Sequence, residues 1–220
     1  MRARHLSRPA LFFAVALIAG CARPLVGTLI DEQRAQDYAA IVALEDEVAA
    51  LCRRNGDECA TASAVLGHAC YAEARRGELA VARLDCAVDN LGGALAAGLP
   101  AQVGAQSLAV YRLTYLEALN DRLDLTRSFA EGAPYTAALG AAAVRFQDAY
   151  PADWRGYYFE GQSHVQRFNA EIGSDLAAAC ASLRQAEEAF GAAAARGEDL
   201  RIAQARSAVA GLASSCAGEG

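Results

Sequence analysis

Residues 150–197 read YPADWRGYYFEGQSHVQRFNAEIGSDLAAACASLRQAEEAFGAAAARG, and they carry the clearest helical pattern in the chain. Pro151 lacks a backbone N–H and is tolerated only in the first turn of a helix, so residues 150–153 end one helix and open the next. A polar break at residues 173–175 separates an aromatic first helix from an alanine-rich second helix that runs to Gly197. The stretch is therefore predicted to be an antiparallel helical hairpin.

Small and large residues recur in this hairpin at the positions that a known repeat uses. An aromatic and a small residue on the first helix are followed by three spaced residues on the second: Tyr157, Gly161, Ala186, Phe190 and Ala193. A weaker match to the same pattern is formed by Leu66, Gly67, Cys70, Ala87, Leu91, Ala94 and Pro100. In these residues the chain resembles the tetratricopeptide repeat (TPR). Glu160 and His164 stand where Leu and Tyr are usual, and the segment before Ala186 is about five residues longer than the consensus. The resemblance implies stacked helix pairs and carries no activity with it.

The amino terminus has the layout of a secretory signal. Residues 1–9 carry three arginines, and residues 10–19 are apolar but too short to span a bilayer, which needs about twenty residues. The run ends in LIAGC at residues 17–21, which resembles the lipobox of bacterial lipoproteins. The resemblance implies a signal peptide over residues 1–20 and acylation of Cys21 with chains such as palmitate. Since residue 22 is Ala rather than Asp, it also implies the outer membrane, facing the periplasm. The alternative is an ordinary cleaved signal with a chance cysteine.

Composition and charge narrow the class of protein. Residues 1–20 hold three of the 20 basic residues and none of the 26 acidic ones, so the remainder carries a formal charge of −9. Nucleic acid is not expected as a partner, because phosphate binding draws on clustered cations. All basic residues are Arg, and alanine, the strongest helix former, dominates. No stretch shows sustained β-branched alternation bounded by turns.

These features predict an all-α fold. We expect antiparallel helical hairpins, stacked as a short TPR-like α-solenoid or bundle of about eight helices. A lipidated tether is predicted at residues 21–30 and a single helical domain at residues 31–220.

Three boundaries are predicted from local signals. Thr28 and Asp31 form a capping-box pattern at the start of a first helix, which is predicted to end at Asn55–Gly56. A later helix is expected to break or kink near Asn120–Asp121, with Phe129 continuing its apolar stripe. Pro134 is then expected to start the next helix.

Six cysteines remain after Cys21, in an oxidising compartment where disulfides form. In an antiparallel hairpin, residues equidistant from the turn lie opposite each other. Three pairs have midpoints at predicted glycine turns, namely Cys52–Cys59 at Asn55–Gly56, Cys70–Cys86 at Gly77–Glu78 and Cys180–Cys216 at Gly197–Glu198. We therefore predict these three disulfides, with free buried thiols as the alternative.

Residues of catalytic type are sparse. The sequence has no nucleophile elbow, phosphate-binding glycine loop, H-E-x-x-H or C-x-x-C, and only two histidines follow residue 21. We predict no enzymatic activity, cofactor or metal site. The densest aromatic cluster and its polar neighbours form a candidate contact surface of Trp154, Tyr157, Tyr158, Glu160, His164 and Arg167. The alternative is that two of the aromatics and His164 are packed in the core and Glu160 is solvated.

Two functions fit these observations. The first is a tethered helical scaffold that binds a protein or peptide partner in the cell envelope, as TPR-like lipoproteins do. The second is a small-ligand carrier with a cavity near Trp154 and His164 that hands solute to a transporter. A closed pocket lined by Tyr158 and His164 favours the carrier, and an open groove favours the scaffold.

Overall fold

The computed structural model describes residues 24–54, 58–77 and 80–216, which form ten α-helices and two 3-10 turns and contain no strand. The all-α prediction is confirmed, with ten helices in these ranges rather than about eight. The signal peptide and Cys21 lie outside the described residues. The helices are α1 Leu25–Ala35, α2 Tyr38–Val42, α3 Glu45–Arg53, α4 Cys59–Arg76, α5 Val81–Ala97, α6 Ala105–Asp124, α7 Phe129–Ala149, α8 Trp154–Glu171, α9 Leu176–Ala194 and α10 Leu200–Leu212; the 3-10 turns are Ala101–Val103 and Ala213–Cys216.

From α4 onward, each helix packs chiefly against its immediate neighbours in the chain. The short helices α1, α2 and α3 all pack on α4, and alternate helices also touch, α4 with α6 and α6 with α8. This arrangement is that of stacked hairpins, in which alternate helices share one side. No helix in the described ranges combines the length and apolar character needed to cross a membrane.

The two most extensively packed helix pairs are α4–α5 and α8–α9, the hairpins that carry the two matches to the repeat pattern. In both, a helical glycine admits a large side chain from the partner helix. A Cβ on Gly67 would lie 2.8 Å from Cγ of Leu91, and one on Gly161 would lie 2.5 Å from Cε1 of Phe190. Leu91 and Phe190 are fully buried. The same small-to-large contact therefore closes both hairpins.

The cysteines pair as the hairpin symmetry predicts. The Cα–Cα distances are 4.8 Å for Cys52–Cys59, 6.0 Å for Cys70–Cys86 and 5.7 Å for Cys180–Cys216, each joined by a disulfide. The first ties α3 to α4, the second α4 to α5, and the third α9 to the turn after α10. The turn residues Asn55, Gly56 and Glu78 lie outside the described residues.

The amino-terminal boundary was predicted wrongly. α1 begins at Leu25, inside the segment predicted as the tether, and Leu29 is fully buried. Thr28 lies within α1, where its N–H donates to the carbonyl of Pro24, and does not cap it. The single helix expected up to Asn55–Gly56 is three helices. Gln36 adopts a left-handed conformation with φ 58°, and the Asp37 side chain then caps α2.

The middle boundaries also differ from the prediction. α6 continues through Asn120–Asp121 and ends at Asp124, where Thr126 Oγ1 donates to the carbonyl of Leu123. α7 begins at Phe129, because the Ser128 side chain accepts from the N–H of Glu131 and caps it. Pro134 consequently lies inside α7 instead of starting it, and Phe129 is 58% exposed instead of buried.

Candidate functional site

The structure places the six predicted contact residues in three different surroundings. Trp154 and Tyr158, one helical turn apart on α8, lie with their rings edge to face at 5.9 Å between centroids. Trp154 packs on Gly197, where a Cβ would collide with the indole. Both rings are half-buried and keep part of their surface in solvent. These two residues remain candidates for contact with a partner.

Tyr157 lies against the carboxyl end of α9. The Arg196 guanidinium carbon is 3.8 Å from the centre of the Tyr157 ring, and Arg196 Nε donates to the carbonyl of Pro151 at 2.9 Å. The Tyr157 hydroxyl donates to the same carbonyl at 3.4 Å. These contacts join the α7–α8 turn to α9, so the position of Tyr157 is explained by packing.

Glu160 and Arg167 face α7. Glu160 accepts a hydrogen bond of 2.8 Å from Gln147, and Arg167 lies against Gly140. His164 is half-buried, and its Nδ1 atom is buried without a hydrogen-bond partner in the described ranges. Burial, reinforced by Arg167, lowers the pKa of His164. In the described part of the chain, no hydrogen bond, ion pair or ring contact joins these three residues to Trp154.

A row of polar and aromatic side chains does share one side of the molecule, on α4, α6, α8 and α10. We call it the even-helix face, and it comprises Tyr71, Arg75, Glu117, Asp121, Trp154, Arg155, Tyr158 and Arg201. At one end, the Tyr71 hydroxyl donates to Oδ2 of Asp121 at 3.1 Å, and Arg75 Nη1 approaches the same oxygen at 3.4 Å. These contacts join α4 to α6 across the intervening α5.

The other end of the even-helix face is aromatic. The guanidinium carbon of Arg201 lies 5.0 Å from the ring centre of Trp154 and 5.7 Å from that of Tyr158. Arg201 also pairs with Asp199 at 3.1 Å, and Arg155 pairs with Asp153 at the start of α8. A cation stacked on two rings fixes α10 against α8 and leaves the outer edges of the rings accessible.

Glu117 lies between these two ends and differs from its neighbours in having no partner. It is half-buried, and it makes no hydrogen bond or ion pair with any residue that the structure describes. Burial raises the pKa of the Glu117 carboxyl, Asp121 adds to the rise, and the fields of Arg201, Arg75 and Arg155 oppose it. A half-desolvated carboxylate that faces solvent without a partner is a strong acceptor for an incoming donor.

The charges on this face define what it accepts. Arg75, Arg155 and Arg201 are each matched by an aspartate, so Glu117 leaves a carboxylate in excess. The face thus offers acceptors to N–H groups and cations, and aromatic edges to flat or apolar groups. Among the described residues, no group of three or more His, Cys, Asp or Glu is arranged to hold a metal ion.

Trp154 and Tyr158 were predicted from the sequence as contact residues, and the rest of this face was not. The remaining residues are separated by up to about 130 positions in sequence, and only the stacking of alternate helices brings them together. The sequence does contain one signal for this face. Each of the helices α4, α6 and α8 contributes two of its residues at positions i and i+4: Tyr71 with Arg75, Glu117 with Asp121 and Trp154 with Tyr158.

Neither Tyr158 nor His164 lines any of the four principal cavities of the described residues. Trp154 lines only a shallow depression formed by residues 150–155. No protein-family model matches the chain, and neither a curated protein nor a solved structure matches it.

Proposed function

We propose that this protein is a lipid-anchored helical scaffold of the bacterial envelope that binds a protein partner through the even-helix face. The observation that carries the proposal is the unpaired carboxylate of Glu117, which lies half-buried between three arginines already matched by acids. A half-buried charge without a partner costs free energy that a bound donor group recovers.

The partner is a polypeptide segment rather than a small solute. The binding groups run from Tyr71 on α4 to Arg201 on α10, and of them only Trp154 and Arg155 line one of the four principal cavities, the shallow depression at residues 150–155. An elongated row of acceptors and aromatic edges suits a chain that carries backbone N–H groups and basic side chains. The formal charge of −9 beyond residue 20 would also speed association with a basic partner.

The anchor in this proposal is Cys21. Its support is the basic, apolar and small-residue sequence of residues 1–21, which resembles that of a bacterial lipoprotein. Replacement of Cys21 by Ser is expected to move the protein from the membrane fraction to the soluble fraction of the periplasm. Unchanged membrane association of Cys21→Ser would contradict the anchor without bearing on the binding face.

Capture and affinity measurements test the binding face. A protein is first captured from envelope extracts by the immobilised wild type and identified, and its affinity for purified variants is then measured. Glu117→Gln keeps the shape of the side chain and removes its charge. We expect it to weaken binding at least about ten-fold. Glu187→Gln, at an exposed position on α9, is the matched control and is expected to bind like the wild type. Equal affinity of Glu117→Gln and the wild type would refute the proposal.

A further inference from the structure

The largest of the four principal cavities lies on the opposite side of α6 from the even-helix face. It has a volume of about 510 Å³ and is formed by α5, α6 and α7 with the α5–α6 loop. At 100° per residue, Arg112 and Tyr115 project from the side of α6 away from Glu117 and Asp121. The residues that line the cavity include Ala96, Leu99, Arg112, Tyr115, Arg145 and Phe146.

The apolar part of the cavity is a fixed surface. Phe146 is 2% exposed and Ala142 is 7% exposed, so their side chains are packed in the core and present only an edge to the cavity. On α5, Gly92 has no side chain, and a Cβ there would lie 3.0 Å from the hydroxyl oxygen of Tyr115. Because Gly92 has no side chain, the Tyr115 ring packs directly against α5, and the rest of the cavity stays open.

The polar part consists of donors that have no acceptor among the described residues. Arg112 and Arg145 come from adjacent helices to the same cavity, and neither makes a hydrogen bond or ion pair with any residue in the described ranges. Arg112 lies over the Tyr150 ring at 5.8 Å. Burial raises the pKa of Tyr115 despite the nearby Arg145, so its hydroxyl stays protonated and can donate. The acid that acts on Tyr115, Asp89, is exposed and does not line the cavity.

We propose that this cavity binds a small carboxylate with an apolar tail. Two guanidinium groups and a phenol hydroxyl offer convergent donors to a carboxylate, and guanidinium binds carboxylate in a bidentate manner. The walls of Leu99, Leu108 and Phe146 would take the tail, and the volume lies within the range of small-molecule sites. Two unpaired cations exclude an amine ligand. This site is independent of the scaffold function, because it shares no residue with the even-helix face.

Calorimetric titration of the full chain with decanoate tests the proposal, with decanol as the neutral analogue. Decanoate is expected to bind, and decanol at least about ten-fold more weakly, because only the carboxylate engages the arginines. The double variant Arg112→Gln/Arg145→Gln is expected to lose decanoate binding at least ten-fold relative to the wild type. Arg184→Gln, an exposed arginine on α9, is expected to change nothing.

A second pair of variants tests the location of the site without touching its charges. Ala96 lines the cavity and is exposed, so Ala96→Trp fills the space without disturbing the core. Ala97 is also exposed on α5 but does not line the cavity, and Ala97→Trp is the matched control. Loss of decanoate binding in the first variant alone supports the site. No binding by the wild type, equal binding of decanol, or equal binding by both tryptophan variants would overturn the proposal.

Discussion

The ring of Phe190 lies on the bare backbone of Gly161, so that a Cβ at Gly161 would come within 2.5 Å of Cε1 of the ring. Gly161→Ala is therefore expected to lower the free energy of unfolding by about 1–3 kcal/mol, since the helices α8 and α9 must move apart to admit the methyl group. This loss exceeds the gain of about 0.5–1 kcal/mol that alanine brings to a helix. Urea unfolding followed by circular dichroism measures the difference.

Gly191, in α9, supplies the matched control. A Cβ there meets no atom within 4 Å, so Gly191→Ala is expected to raise the free energy of unfolding by about 0.5–1 kcal/mol through helix propensity alone. Opposite signs for the two substitutions are the expected outcome. A neutral or stabilising effect of Gly161→Ala would show that the α8–α9 contact is looser than the structure indicates.

Local signals in the sequence predict the hairpins well but predict the contacts between distant helices poorly. The cysteine midpoints follow from the geometry of single hairpins, and the three pairs predicted from them agree with the structure. The break at Gln36 was missed because a left-handed glutamine has no strong sequence signal. The even-helix face was missed because its register depends on how one hairpin stacks on the next.

The disulfides are expected to differ in their contribution to stability. Cys180–Cys216 closes a segment of 36 residues, whereas Cys52–Cys59 closes one of 7 residues. In the chain-entropy description, the longer closure restricts the unfolded chain more, by about 1.5 kcal/mol. We expect Cys180→Ala/Cys216→Ala to lower the free energy of unfolding more than Cys52→Ala/Cys59→Ala does.

Mass spectrometry of the wild type after alkylation without reduction is the control for that comparison. No label on the six cysteines from Cys52 to Cys216 is expected. Labelling of all six would contradict the pairing itself. An equal or larger loss in the free energy of unfolding for Cys52→Ala/Cys59→Ala would contradict the expected order of the two variants. It would mean that the Cys52–Cys59 bridge stabilises the folded state directly.

Arg122 joins three helices from a buried position. Its side chain is 7% exposed, and it donates from Nε to Asp85 at 2.7 Å and from Nη2 to Glu131 at 3.3 Å. Arg122→Met keeps the apolar stem and removes both bonds. Because the two acids are more than a third exposed and regain water, we expect a loss of only about 1–2 kcal/mol in the free energy of unfolding.

The comparison for Arg122 is Arg34→Met, in which the side chain is 77% exposed and lies 3.5 Å from Asp31. Exposed pairs of this kind contribute about 0–0.5 kcal/mol. Chemical denaturation of the two variants side by side measures the difference. Equal losses would mean that the burial of Arg122 adds nothing to the strength of its bonds.

His164 is expected to make stability depend on pH in the neutral to mildly acidic range. Burial and Arg167 lower its pKa in the folded state, and Glu160 and Glu188 only partly offset this. The unfolded chain therefore takes up the proton first as pH falls below about 6.5, and stability falls until the pH reaches the folded pKa.

The variant His164→Gln lacks this titrating group. Denaturation between about pH 7.5 and 5.5 should thus show a shallower decline for the variant, by at most about 1.4 kcal/mol per pH unit. His68 keeps its own lowered pKa in both proteins, so a part of the decline persists. Identical slopes for the wild type and His164→Gln would mean that His164 is as hydrated in the folded protein as in the unfolded chain.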